Sequence, residues 1–201
     1  KRGIEEPAVW FGDHHDNGGA YSFASYVKGE LFLVQLGYIM GEQNLSVTMK
    51  EFYNTWKLKH PTDRDLMHIA QKVSGMDLKW FQNYWINTTK TIDYGIKEVK
   101  YDANSTTVTL VNNGNIPMPI DFSILKKDKK VINYQIPLNM THVWKKKDIY
   151  GDFTTLHYWP WTQKEYTFTI PYNKSQISTL GIDFSQRLAD VNMADNMVEI
   201  K

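Results

Sequence analysis

YSFASYVKGELFLVQLGYIMG, residues 21–41, is the stretch whose reading decides the fold. From about Ser22 to Met40 its apolar residues follow helical spacing. Val27, Leu31, Val34 and Tyr38 make one face by i, i+4, i+7, i+11, and Phe32, Leu36 and Ile39 fill another. A helix that is apolar nearly all round is expected to be buried. Gly29 in its interior lowers helix propensity by about 1 kcal/mol relative to Ala, which predicts the close approach of another backbone there. Gly41 is a natural stop.

Upstream, residues 1–20 read as loop, punctuated by Gly3, Pro7, Gly12, Gly18 and Gly19. The run Asp13-His14-His15-Asp16 invites a metal-site reading. Adjacent loop residues converge poorly on one ion, however, and no HExxH pair occurs among His60, His68, His142 and His157. A solvated polar loop is the expectation.

Downstream, three shorter helices follow. Met49, Phe52, Tyr53 and Trp56 give Ser46–Lys57 an apolar face, with Ser46 as N-cap. Thr62-x-x-Asp65 has the form of a capping box opening a helix that buries Leu66, Ile69, Ala70 and Val73, and Ser74-Gly75 stops it. Asp77 is placed to cap the fourth helix, which carries Trp80, Phe81, Tyr84 and Trp85.

After Thr91 the period changes to alternation. Ile96–Tyr101, Val108–Leu110, Ile120–Ile124, Val131–Ile136 and Tyr166–Ile170 are strand candidates separated by turn signals. Short strands at this spacing predict an antiparallel, Ig-like β-sandwich. The fold class is therefore α+β and multidomain: an all-α unit of about four helices at 1–92, then a β-sandwich at 93–201. Lys126–Lys130 and Lys145–Lys147 read as solvated turns, and Trp159-Pro160-Trp161 as aromatics packed on a sheet edge.

Composition narrows the function classes. The chain has 201 residues, 42% hydrophobic, with 23 Lys+Arg against 22 Asp+Glu, a balance that gives no support to a nucleic-acid partner. With no cysteine, thiolate chemistry and Cys-type zinc sites are excluded. The longest apolar run, Leu31 to Leu36, is too short to span a bilayer. A start at Lys1 without Met or a signal peptide reads as a piece cut from a longer protein, and leaves the compartment open, an extracytoplasmic or periplasmic one included. No Gly-rich phosphate loop, G-x-S-x-G elbow or complete catalytic set occurs.

One ordered set of motifs reaches further. Tyr21-x-x-x-x-Tyr26-x-Lys28-Gly29, then Leu33-x-x-Leu36 and Gly41-Glu42, then Phe52-Tyr53-x-x-Trp56, His60-Pro61-Thr62-x-x-Asp65 and Ser74-Gly75-Met76-Asp77-Leu78-x-x-Phe81-x-x-x-Trp85 follow one another in order. The set resembles the region downstream of the zinc site in M1-family zinc metallopeptidases, the gluzincin aminopeptidases. It covers the helical half. The β half matches only in position, since many members carry a small Ig-like sandwich after the catalytic domain.

The resemblance implies that Tyr26 donates a hydrogen bond to the oxyanion formed when zinc-bound water attacks the scissile carbonyl. A phenol stays a neutral donor at working pH. Tyr21 matches a second tyrosine near the active site in some members. The HExxH motif, the third-ligand glutamate and the G-x-M-E-N segment would all lie upstream of Lys1, so zinc belongs to the full-length parent and none is expected in this chain. The implied partners are a peptide substrate and the N-terminal remainder of the same polypeptide, and the chain by itself is expected to be inactive. Two rivals from other classes stay open: a metal-less peptidase-like scaffold, and a sandwich that binds carbohydrate or protein on a Trp159–Trp161 platform.

Overall fold

A computed structural model describes residues 5–200, and Gly3 of the loop reading lies outside them. The opening stretch is one continuous helix in three segments: α1 (Gly18–Ser22), a π-helical turn (Phe23–Val27) and α2 (Lys28–Met40). It starts four residues before the expected Ser22 because Asn17 caps it, the Asn17 side chain accepting from Ala20 N–H at 3.0 Å. The π turn is closed by Lys28 N–H donating to the Phe23 carbonyl. Gly41, at φ 87, ends α2 and leads directly into α3 (Glu42–Trp56), so α3 begins before the Ser46 cap read from the sequence.

Next come α4 (Asp63–Ser74) and α5 (Lys79–Asn87). The capping box is present at α4: Thr62 and Asp65 satisfy each other's exposed backbone donors, and Gly75 closes the helix in the left-handed region at φ 71. Leu78 occupies the N-cap position of α5, with the neighbouring Asp77 carboxylate accepting from Lys79 N–H at 3.0 Å. The core of this unit is aromatic at its centre. Phe32 stacks on Phe81 at 5.2 Å between centroids, and Phe81 contacts Trp80 and Trp85. Leu36, Ile39, Met40, Met67 and Leu78 of the same unit are all buried. Residues up to Lys90, together with Met140–Trp144, form this unit.

Gly29 corrects one expectation. A Cβ built there meets nothing within 4 Å, so no backbone packs against it. The crowded glycine of the helix is Gly37, whose Cβ would lie 2.8 Å from Glu42 Oε1 and 2.9 Å from Leu45 Cδ2.

The second unit, Thr91–Asn139 with Lys145–Lys201, holds two sheets. One has the order β1 (Tyr94–Tyr101), β2 (Thr106–Asn112), β7 (Glu165–Ile170). The other runs β5 (Lys147–Asp148), β6 (Gly151–Thr155), β4 (Val131–Ile136), β3 (Ile120–Lys126), β8 (Ile177–Ile182), β9 (Met197–Glu199). Pairing is antiparallel except between β4 and β6, which run parallel. An aromatic chain crosses the interior: Tyr94 edge-on to Trp159, Trp159 stacked on Tyr166, Tyr166 against Phe168, and Phe168 edge-on to Phe122 of the opposite sheet at 5.0 Å. The fold is thus a helical unit followed by a mostly antiparallel β unit.

Lys145 departs from the solvated-turn reading. Its ammonium is buried, 2.6 Å from Asp121 Oδ2 and 3.5 Å from Asp148 Oδ2, and Arg187 Nη2 sits 2.7 Å from the same Asp148 oxygen. Burial pushes the Asp121 carboxyl up to about 6 against the pull of Lys145. Burial also opposes the charge on Asp148, but Arg187 and Lys145 outweigh it and hold that carboxyl below its usual range.

Two stability predictions follow from these packing facts. Gly29→Ala is expected to stabilise the chain by about 0.5–1 kcal/mol through helix propensity, whereas Gly37→Ala is expected to gain less, because its Cβ displaces the ends of Glu42 and Leu45. Lys145→Met is expected to cost about 3–5 kcal/mol by stranding buried carboxylates, with part recovered when Asp121→Asn is added. Urea denaturation curves of the four variants check both.

Candidate functional site

The π turn places two tyrosines on the outer side of the first helix. A π turn takes one more residue than an α turn and is met mostly as a single wide turn inside an α-helix, frequently at a functional site. Tyr26 lies within it and is 67% exposed, while Tyr21, on α1, is 38% exposed. Their rings meet edge to face with centroids 6.2 Å apart. Among the described residues neither hydroxyl has a hydrogen-bond partner.

The loop before the helix supports this pair. His15 meets Tyr21 edge to face at 5.6 Å and Trp10 at 6.0 Å. Its side chain is 1% exposed, and Nδ1 is 2.5 Å from Glu6 Oε2. The other Glu6 oxygen accepts from Asp16 N–H at 3.2 Å, so one carboxylate ties residues 15 and 16 just ahead of the Asn17 cap. Burial opposes the charge on Glu6, but the bonds from His15 and Asp16 prevail and hold its carboxyl below the usual value. His15 Nε2 is buried without a hydrogen-bond partner. Gly12 closes the loop onto Tyr21: a Cβ there would lie 3.2 Å from the ring.

The Asp13–Asp16 run therefore does not converge. His14 is exposed, 3.9 Å from Asp13, while His15 turns inward to Glu6. Among the described residues no group of three or more His, Asp or Glu could hold a metal ion. Glu6 escaped the sequence reading, because a contact spanning nine loop residues carries no period.

Lys28 turns inward from the same turn. It is 7% exposed, its ammonium donates to the Thr88 carbonyl at 2.5 Å, and its own carbonyl accepts from Trp85 Nε1 at 3.1 Å. Trp159 is 3% exposed and donates through Nε1 to the Gln163 carbonyl, so it is a packing residue and offers no platform face; Trp161 is half exposed.

No family model matches the chain, and no curated protein sequence matches it. Among solved structures, aminopeptidase A of Legionella pneumophila in complex with aspartic acid is similar, with a TM-score of 0.56 at 14% identity. The fold is similar to part of an aminopeptidase. The likeness covers 87% of this chain but 18% of that one, so the chain spans less than a fifth of the neighbour's length. No helix among the described residues is long and apolar enough to cross a membrane.

The geometry separates supporting from presented side chains. His15→Ala is expected to destabilise the chain by about 2 kcal/mol, because it empties a buried ring site. Tyr26→Phe is expected to change stability by less than about 0.5 kcal/mol, as for an exposed group without a hydrogen bond. Equilibrium unfolding of the two variants tests this contrast.

Proposed function

We propose that this chain is the C-terminal part of an M1-like zinc metallopeptidase whose parent hydrolyses peptide bonds, removing residues from the N-terminus. The reading is carried by Tyr26: an exposed phenol with no hydrogen-bond partner among the described residues, standing on a π turn in a fold similar to part of an aminopeptidase. Such a donor suits a site where negative charge develops on a substrate oxygen, because its O–H is not spent on the protein itself. Tyr21 meets its ring edge to face, and His15 in turn meets Tyr21. Tyr26 takes the role of oxyanion donor, and Tyr21 that of its neighbour in the site.

The residues present do not fit a zinc site, since among those described no ligand cluster is found. Zinc and the general base are accordingly assigned to the N-terminal remainder of the polypeptide, and no metal step is assigned to this chain. Alone, the chain is proposed to be inactive. Trp10, Phe11 and Val27 are exposed apolar side chains near the tyrosines in the chain, a composition that suits contact with further protein.

In the full-length parent, Tyr26→Phe is expected to lower kcat by about 10²–10³-fold with little change in KM, the loss typical of one oxyanion donor. Retention of full peptidase activity would remove Tyr26 from the mechanism. A coding sequence upstream of Lys1 that lacks HExxH and its glutamate would instead favour the metal-less scaffold.

A further inference from the structure

The helical unit contains a cavity of about 360 Å³ that the tyrosine site does not use. Lys28, Gly29 and Phe32 of α2 form one wall, with Leu66 of α4 and Trp85 and Ile86 of α5 contributing others. Its size falls in the range of small-molecule sites, and its lining has their character: mostly apolar, with few polar groups.

Two features mark it as more than a packing defect. The first is the Lys28 ammonium, held in apolar surroundings at 7% exposure. An ammonium carries three donors, and Thr88 O is the one hydrogen-bond acceptor for it among the described residues. Burial accordingly holds its pKa below the ordinary lysine value, with Glu5 the charge that works the other way. Glu5 is exposed, where solvent screens its pull. Asp63, which also lines the cavity, accepts a hydrogen bond from Gln82 at 2.7 Å. The second feature is Gly29. It weakens the helix, yet a Cβ there would meet nothing, so the missing side chain leaves space open next to the ammonium.

We propose that this cavity binds a small monocarboxylate carried on a compact apolar body, with the carboxylate on Lys28 Nζ and the apolar part against Phe32, Leu66 and Trp85. A single ammonium matches a single negative charge, and a charge-assisted hydrogen bond is strongest where water is excluded. Beside Lys28 the lining offers the Ser25 hydroxyl as a donor and the Asp63 carboxylate as a like charge, too little to hold a more highly charged anion such as phosphate. The site stands on a different set of side chains from Tyr21 and Tyr26 and does not depend on peptidase activity.

The 201-residue chain is titrated with octanoate and 3-phenylpropionate, and with octanol and 3-phenylpropanol as uncharged matches, by calorimetry and by ¹H–¹⁵N NMR. Saturable one-to-one binding of the acids is expected, with the alcohols about tenfold weaker or more. Lys28→Met is expected to weaken acid binding by a similar factor while keeping the apolar stem. Gly29→Leu, which fills the space and favours the helix, is expected to abolish binding with circular dichroism unchanged. Absence of saturable binding, equal binding of acids and alcohols, or wild-type binding by either variant overturns the proposal. Should Lys28→Met fail to fold, the acid–alcohol comparison and Gly29→Leu decide it between them.

Discussion

The hydrogen bond from Lys28 N–H to the Phe23 carbonyl is the constraint on which the helical unit depends. It widens one turn and inserts one residue into the period of the first helix. Tyr21 and Ile39 are eighteen residues apart, five whole turns at about 3.6 residues per turn, so an unbroken α-helix would place them on one stripe. Ile39 is 1% exposed at the centre of the core. With the extra residue, the stripe passes through Ala20 instead, which is likewise 1% exposed. A methyl group goes in and a phenol stays out. The wide turn therefore decides which side of the helix is core and which presents Tyr21 and Tyr26.

Every polar group of Lys28 takes part in holding that arrangement. Its N–H closes the π turn, its carbonyl receives the Trp85 indole, and its ammonium reaches the carbonyl of Thr88, the C-cap of α5. A cation at a helix C-terminus is favoured by the macrodipole, so the start of α2 and the end of α5 stabilise each other. The Phe32–Phe81 stack then continues the same seam inward. Outside it, the Glu6–His15 contact fixes the loop immediately before the Asn17 cap, so the helix is set from its cap and from its wide turn together.

What could be read from the chain is what local chemistry encodes. The four helices, the capping box at Thr62 and Asp65, the Gly41 and Gly75 stops and five strands follow from spacing and turn residues. The π turn was not legible, because Phe23–Val27 contains no residue type that demands it, and Lys28, which closes it, is held by partners distant in sequence, Trp85 and Thr88. Strand β8 escaped because its pairing with β3 shifts register between Leu125 and Lys126, which breaks the alternation of Ile177–Ile182. Strand β5 has two residues and pairs locally with β6, too short to show a period, while β6 and β9 are set by their pairing with β4 and β8. At the site, the tyrosine spacing was visible and its support was not: Glu6 and His15 meet through loop geometry alone.

The two buried lysines show how far pattern can mislead in either direction. Lys145 sits in a run of three lysines, the usual mark of a solvated turn, yet its ammonium lies between two carboxylates, one of them shared with Arg187. Lys145 and Arg187 there face Asp121 and Asp148, with the buried Asp183 carboxylate acting on Asp121 as well, and such a set of mutual ion pairs sustains a fold without calling for a ligand. Lys28 stands out in an apolar helix, and its surroundings are correspondingly uneven: one carbonyl, one exposed carboxylate further off, and an open cavity on the glycine side. Burial is similar for both lysines, so burial alone does not separate structural from functional charge. The surroundings do: Lys145 lies within a set of ion pairs, whereas Lys28 holds the start of α2 to the end of α5 and also borders the cavity for which a ligand is proposed.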